Sequence, residues 1–237
     1  MISTEETKLR GYTIKYTNSK EYHSIKDEIF NTNSYFADIR DENPVIVDFG
    51  AHIGLSVIYF KLQFPKSKIY AYEANPTAFE ILNENIFTNN LSDVTAYNLF
   101  VDTHKGIREV HQDKQGDWLS TTSYISGSWK GTEATSPITI ESADAKEIIN
   151  GILNENGRID LLKIDIEGFE TKILDHIKED LNSIESLVVE FHPNNSKSFS
   201  KIASILSKQY RRVRYIQEGR DVKSPDLGDL FIINCAK

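Results

Sequence analysis

The stretch VIVDF (45–49), GAHIG (50–54) and LSVIYFKLQF (55–64) runs strand, glycine-containing turn and helix into one another with no spacer. A short apolar run that passes through such a turn into a longer amphipathic segment is a βα unit. The pattern recurs on the C-terminal side. KIYAYE (68–73) forms a second strand, and Asn75 with Pro76 starts a helix, Asn as N-cap and Pro at the first helical position where no N–H is needed. Phe79, Leu82 and Ile86 then line one face of that helix. VTAYNLFV (94–101) is a third strand with Tyr97, Leu99 and Val101 on one face; the chain leaves the sheet near Val101 and Asp102, and GIREVHQ (106–112) extends as an arm.

The alternation resumes with SADAKEIINGILNEN (142–156) as a helix, RIDLLKID (158–165) as a buried strand and GFETKILDHIKEDL (168–181) as a helix with Ile173, Ile177 and Leu181 inward. SLVVEFH (186–192) is the next strand and FSKIASILSKQY (199–210) the next helix. RRVRYIQ (211–217) and GDLFIINCA (228–236), close in sequence, form an antiparallel pair at one edge. The expected fold is α/β, a mostly parallel sheet of about seven strands with helices on both faces.

Outside this frame, residues 1–44 are polar and mixed, with Tyr12, Ile14 and Tyr16 alternating like a strand and Tyr22, Ile25, Ile29 and Phe30 at helical spacing. They form an N-terminal cap on a main domain spanning 45–237. The loop 112–137 is long and rich in Ser, Thr and Gly, yet it carries Trp118, Tyr124 and Trp129; a substrate lid and a plain surface excursion are both open.

Lys and Arg number 27 against 35 Asp and Glu, a net charge of −8, which argues against a general binder of nucleic acid or anionic membrane. The single Cys235 forms no internal disulfide and excludes a Cys-rich zinc site. The opening MISTEETKLR lacks the apolar core of a signal peptide, and no stretch is long and apolar enough to span a membrane; a cytoplasmic location is expected.

In an open α/β sheet the ligand sits at the carboxyl ends of the strands, near the point where strand order reverses. The turn Asp48-Phe49-Gly50-Ala51-His52-Ile53-Gly54 differs from the G-x-G-x-x-G that brings a pyrophosphate against a helix. Gly50 permits a sharp turn and close approach of a ligand to bare backbone, and the helix start near Ile53 offers unpaired N–H groups. Glu73 ends the second strand, where an acid accepts hydrogen bonds from a ribose diol. A ribose without a pyrophosphate, with a carboxylate and an ammonium at its far end, points to S-adenosylmethionine, with Asp48 near the ammonium. Lys163, Asp165 and Glu167 alternate onto one side if the fourth strand stays extended, and Lys163 in a central strand must be paired or open to the crevice. Glu190 and His192 end the fifth strand, and His192 is the best base available; His23, His104, His111 and His176 lack such placement.

VDFGAHIG, YAYEANP and above all DLLKIDIEGFE followed by VVEFH resemble the FkbM family of S-adenosylmethionine-dependent methyltransferases, from about residue 45 to 192. The resemblance implies a Rossmann-like class I methyltransferase acting on a hydroxyl of a sugar or of a polyketide or peptide natural product. It maps Asp48, Gly50 and Gly54 onto the cofactor turn, Glu73 onto the ribose acid, and Lys163, Asp165, Glu167, Gly168 and Glu170 onto the signature; Asn75 and Asp102 are counted with the cofactor residues. His52 stands where the family usually has Asn, and ITIESADAKEII (138–149) lacks the usual Leu-Asp pair.

In-line methyl transfer needs alignment and a deprotonated acceptor, a role expected of His192, with Glu190 or Glu167 orienting the ring and Asp165 bordering both cofactor and acceptor. A second scheme places Mg²⁺ or Mn²⁺ on Asp165, Glu190 and His192. A non-catalytic cofactor-binding partner and a Rossmann oxidoreductase are the alternatives. The acceptor is expected to be a small molecule rather than nucleic acid; its identity and the oligomeric state stay open.

Overall fold

The computed structural model describes residues 3–113, 118–123, 135–192 and 196–237, with the side chains of 196 and 197 left aside. In chain order the strands are β1 (Glu5–Leu9), β2 (Tyr12–Tyr16), β3 (Val45–Phe49), β4 (Lys68–Glu73), β5 (Val94–Asn98), β6 (Phe100–Asp102), β7 (Gly106–Asp113), β8 (Thr135–Asp144), β9 (Ile159–Ile164), β10 (Ile184–Phe191), β11 (Arg212–Gln217), β12 (Arg220–Val222) and β13 (Phe231–Ala236). The α-helices are α1 (Ser19–Lys26), α2 (Leu55–Gln63), α3 (Pro76–Thr88), α4 (Ala145–Asn156), α5 (Glu170–His176) and α6 (Ser196–Gln209).

The main sheet runs β12-β11-β13-β10-β9-β3-β4-β5. Strands β10, β9, β3, β4 and β5 are mutually parallel, while β13 is antiparallel to both β10 and β11. Strand order therefore reverses between β3 and β9, the crevice where a Rossmann-like sheet takes its ligand. Alternation along β3 builds both sides of the core. Val45, Val47 and Phe49 join the layer under α4, α5 and α6, and Ile46 joins the layer under α2 and α3.

That second layer also takes in Ile14, Tyr16, Tyr22, Ile29, Phe30 and Tyr35 from the N-terminal segment. Two asparagines, Asn85 within α3 and Asn89 at its C-cap, fix it there. Asn89 and Asn85 accept from the backbone N–H groups of Thr13 and Lys15 at 2.8 and 2.7 Å, and the Asn85 amide donates to the Ile53 carbonyl at 2.8 Å. One side chain thus ties the β1–β2 hairpin to the glycine turn.

The structure departs from the sequence-based expectation in four places. The third strand stops at Asn98, because the Leu99 N–H and the Asn98 amide both donate to the Glu73 carbonyl and turn the chain; β6 then joins a separate sheet of order β6-β8-β7. The helix expected from 142 begins at Ala145: Ser142 to Asp144 complete β8, and the Asp144 carboxylate caps α4 by accepting from Lys146 and Glu147 N–H. The helix expected over 168–181 is α5 followed by a 3₁₀ turn at Asp180–Ser183. The antiparallel pair expected at one edge is β11 with β13, and a short further strand, β12, is added outside it. Of the loop 112–137, residues 114–117 and 124–134 lie outside the described residues; His111 and Ser123 exchange backbone hydrogen bonds at 2.8 and 2.9 Å. Among the described residues no helix is long and apolar enough to cross a membrane.

Candidate active site

A cleft of about 110 Å³ opens at the carboxyl ends of β3, β4 and β9 and extends to the end of β10. Its first wall is the turn after β3. Gly50 has φ +85°, and a Cβ there would lie 1.7 Å from the Asp165 carbonyl oxygen, so no other residue fits. The close approach is therefore made by the chain leaving β9, and not by a ligand. The N–H groups of Gly50 and Ala51 both donate to the Tyr72 carbonyl, at 2.9 and 3.0 Å. This turns the chain so that His52, at φ +49°, donates its N–H to Glu73 Oε2 at 2.7 Å. Asn75 N–H holds Glu73 Oε1 at 2.7 Å. Glu73 thus ends β4 fixed by two amides, 6% exposed and lining the cleft. Burial pushes its proton affinity up, against the opposing charge of His52.

The cleft floor is the Lys163 cluster. Lys163 Nζ lies 3.1 Å from Asp48 Oδ1 and 3.3 Å from Asp165 Oδ2, and donates to the Gly50 carbonyl. Burial alone would favour the neutral amine; Asp48, then Asp165, outweigh it and hold Lys163 charged. Asp48 also accepts from Ser56 Oγ at 2.6 Å and is fully buried, so the structure assigns it to Lys163 and Ser56 and does not place it on the cleft wall.

Asp165 faces the cleft, and the Tyr35 hydroxyl lies 2.7 Å from Glu190 Oε2 and 3.1 Å from Asp165 Oδ2, one proton shared between two carboxylates. The extended path expected through Lys163, Asp165 and Glu167 does not continue. β9 ends at Ile164, and the chain turns through Glu167 (φ +51°) and Gly168 (φ +94°). That turn brings Glu167 Oε2 to 3.4 Å from His192 Nε2. Glu170, at the start of α5, takes His192 Nδ1 at 3.0 Å and accepts the Gly168 N–H at 2.9 Å, while Glu190 Oε1 lies 3.8 Å from His192 Nε2. Burial would drive the imidazole neutral, but Glu167, Glu170 and Glu190 together hold His192 charged well above its ordinary range. Burial, then the charges of Asp165 and Glu28, push Glu190 well up. Glu167 and Glu190 line the cleft, and His192 stands behind them.

Among the described residues, Asp165, Glu190 and His192 each bring a ligand atom within 4.8 Å of the others. Other expected residues stand apart from the cleft. Gly54 starts α2 facing Leu82, and Asn75 caps α3 and donates to Thr122 Oγ1 at 2.9 Å. Asp102 pairs with Arg108 on the small sheet. Residues of the N-terminal segment that the sequence did not single out contribute here: Tyr35 and Glu28 line the cleft, and Glu21, 2% exposed, stands against two residues that line it, accepting from Ser120 N–H at 2.7 Å and approaching His52 Nε2 at 3.5 Å. No local pattern marks them; Glu170 alone carried a signal, inside the signature segment.

A family model described as "Methyltransferase FkbM domain" matches residues 48–215. The methyltransferase sdnD of Sordaria araneosa is 30% identical over 193 residues, covering 72% of this chain and 74% of that one. The 31-O-demethyl-FK506 methyltransferase FkbM of Streptomyces tacrolimicus is 25% identical over 77% of this chain and 79% of its own, and the hexuronic acid methyltransferase AglP of Haloferax volcanii 28% identical over 69% and 63%. Among solved structures, the FkbM methyltransferase of Methylobacillus flagellatus superposes with a TM-score of 0.55 at 16% identity, over 86% of this chain and 47% of that one, so this chain spans about half its length. TYW2 of M. jannaschii, solved in complex with AdoMet, gives 0.50 at 18% identity over 98% and 84%. The α/β sheet, the cleft at its switch point and the match across most of the chain agree: this protein is a member of the FkbM methyltransferase family.

Proposed function

We propose that this chain transfers a methyl group from S-adenosylmethionine to a hydroxyl of a small molecule. The observation that carries the proposal is the pairing, across one cleft, of a buried ribose-type acid, Glu73, with a carboxylate–imidazole cluster, Glu190 and His192. The cofactor fits the residues present. Glu73 suits the ribose diol, Tyr72, Leu99, Phe100 and Val101 give an apolar wall for a base, and α2 opens on the cleft at Leu55 and Ser56, where a helix has unpaired N–H groups for a carboxylate. When bound, the cofactor supplies a methyl group on a positively charged sulfur, which leaves with the bonding pair as the acceptor oxygen attacks.

The chain's own task is to align the acceptor and take its proton. Because His192 stands behind the cleft wall, the base role expected of it passes in this proposal to Glu190, which lines the cleft and whose burial raises its affinity for a proton. His192 and Glu170 keep Glu190 oriented, and Asp165 with Tyr35 orders the acceptor side. Asp165, Glu190 and His192 bring ligand atoms within 4.8 Å of one another, but Tyr35 already donates to Asp165 Oδ2 and Glu190 Oε2 and Lys163 pairs with Asp165 Oδ2, so no step is routed through a metal. The acidic acceptor end, with Glu28, Asp165, Glu167 and Glu190, suits a polyhydroxylated or neutral acceptor better than an anion.

The test pairs titration with S-adenosylhomocysteine and transfer of labelled methyl to a panel of sugar and natural-product alcohols. Glu190→Gln should lose about 100-fold or more in turnover while retaining wild-type binding of S-adenosylhomocysteine. Turnover of the variant within tenfold of wild type removes Glu190 as base, and a wild type that does not bind S-adenosylhomocysteine removes the cofactor.

A further inference from the structure

Only two cationic or protonatable nitrogen side chains line the cleft among the described residues, Lys163 and His52. Lys163 is already engaged: it donates to the Gly50 carbonyl and is ion-paired with Asp48 at 3.1 Å and Asp165 at 3.3 Å. His52 is not. Both ring nitrogens are buried and neither makes a hydrogen bond, although the ring lies in a turn that faces ligand and its own N–H fixes Glu73. Leaving two buried ring nitrogens unsatisfied is costly unless something else takes them up.

Glu21 Oε1, 3.5 Å from Nε2, comes from the N-terminal helix α1 and is itself fixed by the Ser120 N–H. We infer that Glu21 holds His52 as an imidazolium whose other N–H receives the carboxylate of the cofactor's aminoacyl end, so that the N-terminal segment determines cofactor affinity.

The inference rests on the proposed cofactor. Its logic is charge complementarity. Glu73, Asp165, Glu167, Glu190 and Glu28 make the cleft strongly acidic, so a ligand carboxylate entering it needs a fixed cation, and the charge of Lys163 is already balanced by Asp48 and Asp165. Three acids act on the His52 ring: Glu21 from α1, Glu73 from the end of β4 and Asp165 from the end of β9. Burial pulls the ring toward neutrality; these carboxylates, Glu21 foremost, outweigh burial and raise its proton affinity, and burial of Glu21 is likewise outweighed by His52, which keeps the acid ionised. A neutral amide at position 52 could accept or donate to the same carboxylate but would bring no charge.

Two ligands separate the parts of this inference. S-Adenosylhomocysteine carries the aminoacyl carboxylate, and 5′-methylthioadenosine has the same nucleoside without it. Titration of the full chain with both should show His52→Asn losing about tenfold or more for S-adenosylhomocysteine and less than about twofold for 5′-methylthioadenosine, with Glu21→Gln falling between wild type and His52→Asn. Asn tolerates the positive φ, so the turn survives the substitution. In parallel, the imidazole proton resonance of His52 followed against pH should titrate above the ordinary histidine range in wild type and move down in Glu21→Gln. Equal losses for both ligands, or none for either, overturn the carboxylate contact; an unmoved titration in Glu21→Gln overturns the role of Glu21. A wild type that binds 5′-methylthioadenosine but gains nothing from the aminoacyl end overturns the inference and leaves the nucleoside site standing, whereas a wild type that binds neither ligand overturns the cofactor itself.

Discussion

His52, partly buried, and His192, buried, are imidazoles beside carboxylates at the carboxyl edge of one sheet, yet they are built differently. His192 is enclosed by Glu167, Glu170 and Glu190, all within a span from the end of β9 to the end of β10. Foremost among the acids acting on His52 is Glu21 from α1, brought across the fold by the docking of the N-terminal hairpin on α3, with Glu73 and Asp165 adding to it. A charge held by three acids of adjacent elements belongs to the scaffold. A charge whose foremost acid comes from a separate segment can change with that segment.

The largest effect expected from breaking this contrast is at Glu170. Replacing it by Gln removes the acid that accepts from His192 Nδ1, and losing one partner of a buried pair costs about 3 kcal/mol. The pH dependence gives the sign. His192 binds its proton more tightly folded than unfolded, so its contribution is fully present below the unfolded value of about 6.5 and is lost as pH rises through the higher folded value. Thermal unfolding of the wild type should therefore weaken on the alkaline side, and Glu170→Gln should shrink that fall and start it at lower pH. An unchanged alkaline limb would show that Glu170 does not hold the charge.

A smaller effect is expected at Tyr35, which orders the acceptor end rather than either imidazole. Tyr35→Phe removes the hydroxyl shared by Asp165 and Glu190, leaving two acids facing each other without the donor that bridges them. Turnover should fall about tenfold, the worth of a charge-assisted hydrogen bond, with S-adenosylhomocysteine affinity within about twofold. An equal loss in both would place Tyr35 in the cofactor half of the cleft instead.

The smallest is at the partly exposed pair Asp144 and His176, 3.1 Å apart and away from the cleft. Asp144→Ala should cost about 1 kcal/mol, mainly through the cap of α4, with no change in cofactor affinity or turnover. His176 and the cap N–H groups hold the Asp144 carboxyl below its ordinary range against a burial that pushes it up, so its contribution is present at neutral pH and is lost as pH falls through the depressed value. The variant's stability deficit, measured by denaturant unfolding, should therefore close in acid.

Much of this frame could be read along the chain. VIVDF, KIYAYE, RIDLLKID and SLVVEFH become β3, β4, β9 and β10, and the acids at their ends arrive at one crevice because strand, turn and helix follow local periodicity. Leu99 misled for a local reason of another kind: the Asn98 side chain competes for the Glu73 carbonyl and ends the strand, a contact invisible to periodicity. Position in the family signature likewise marked Lys163, Asp165, Glu167 and Glu170 without showing that Asp48 would be spent on Lys163.

By itself, then, the sequence determined the order of elements, the switch point and the strand ends that carry carboxylates, since each depends on neighbours a few residues away. Only the tertiary structure decided which acid meets which base. Tyr35 reaches Asp165 and Glu190 across 130 and 155 residues, and Glu21 reaches Ser120 across 99, and nothing in their local sequence encodes those partners. The physical reason is that charge pairing takes its strength from burial and from separations of a few ångströms, both of which exist only once distant segments have packed.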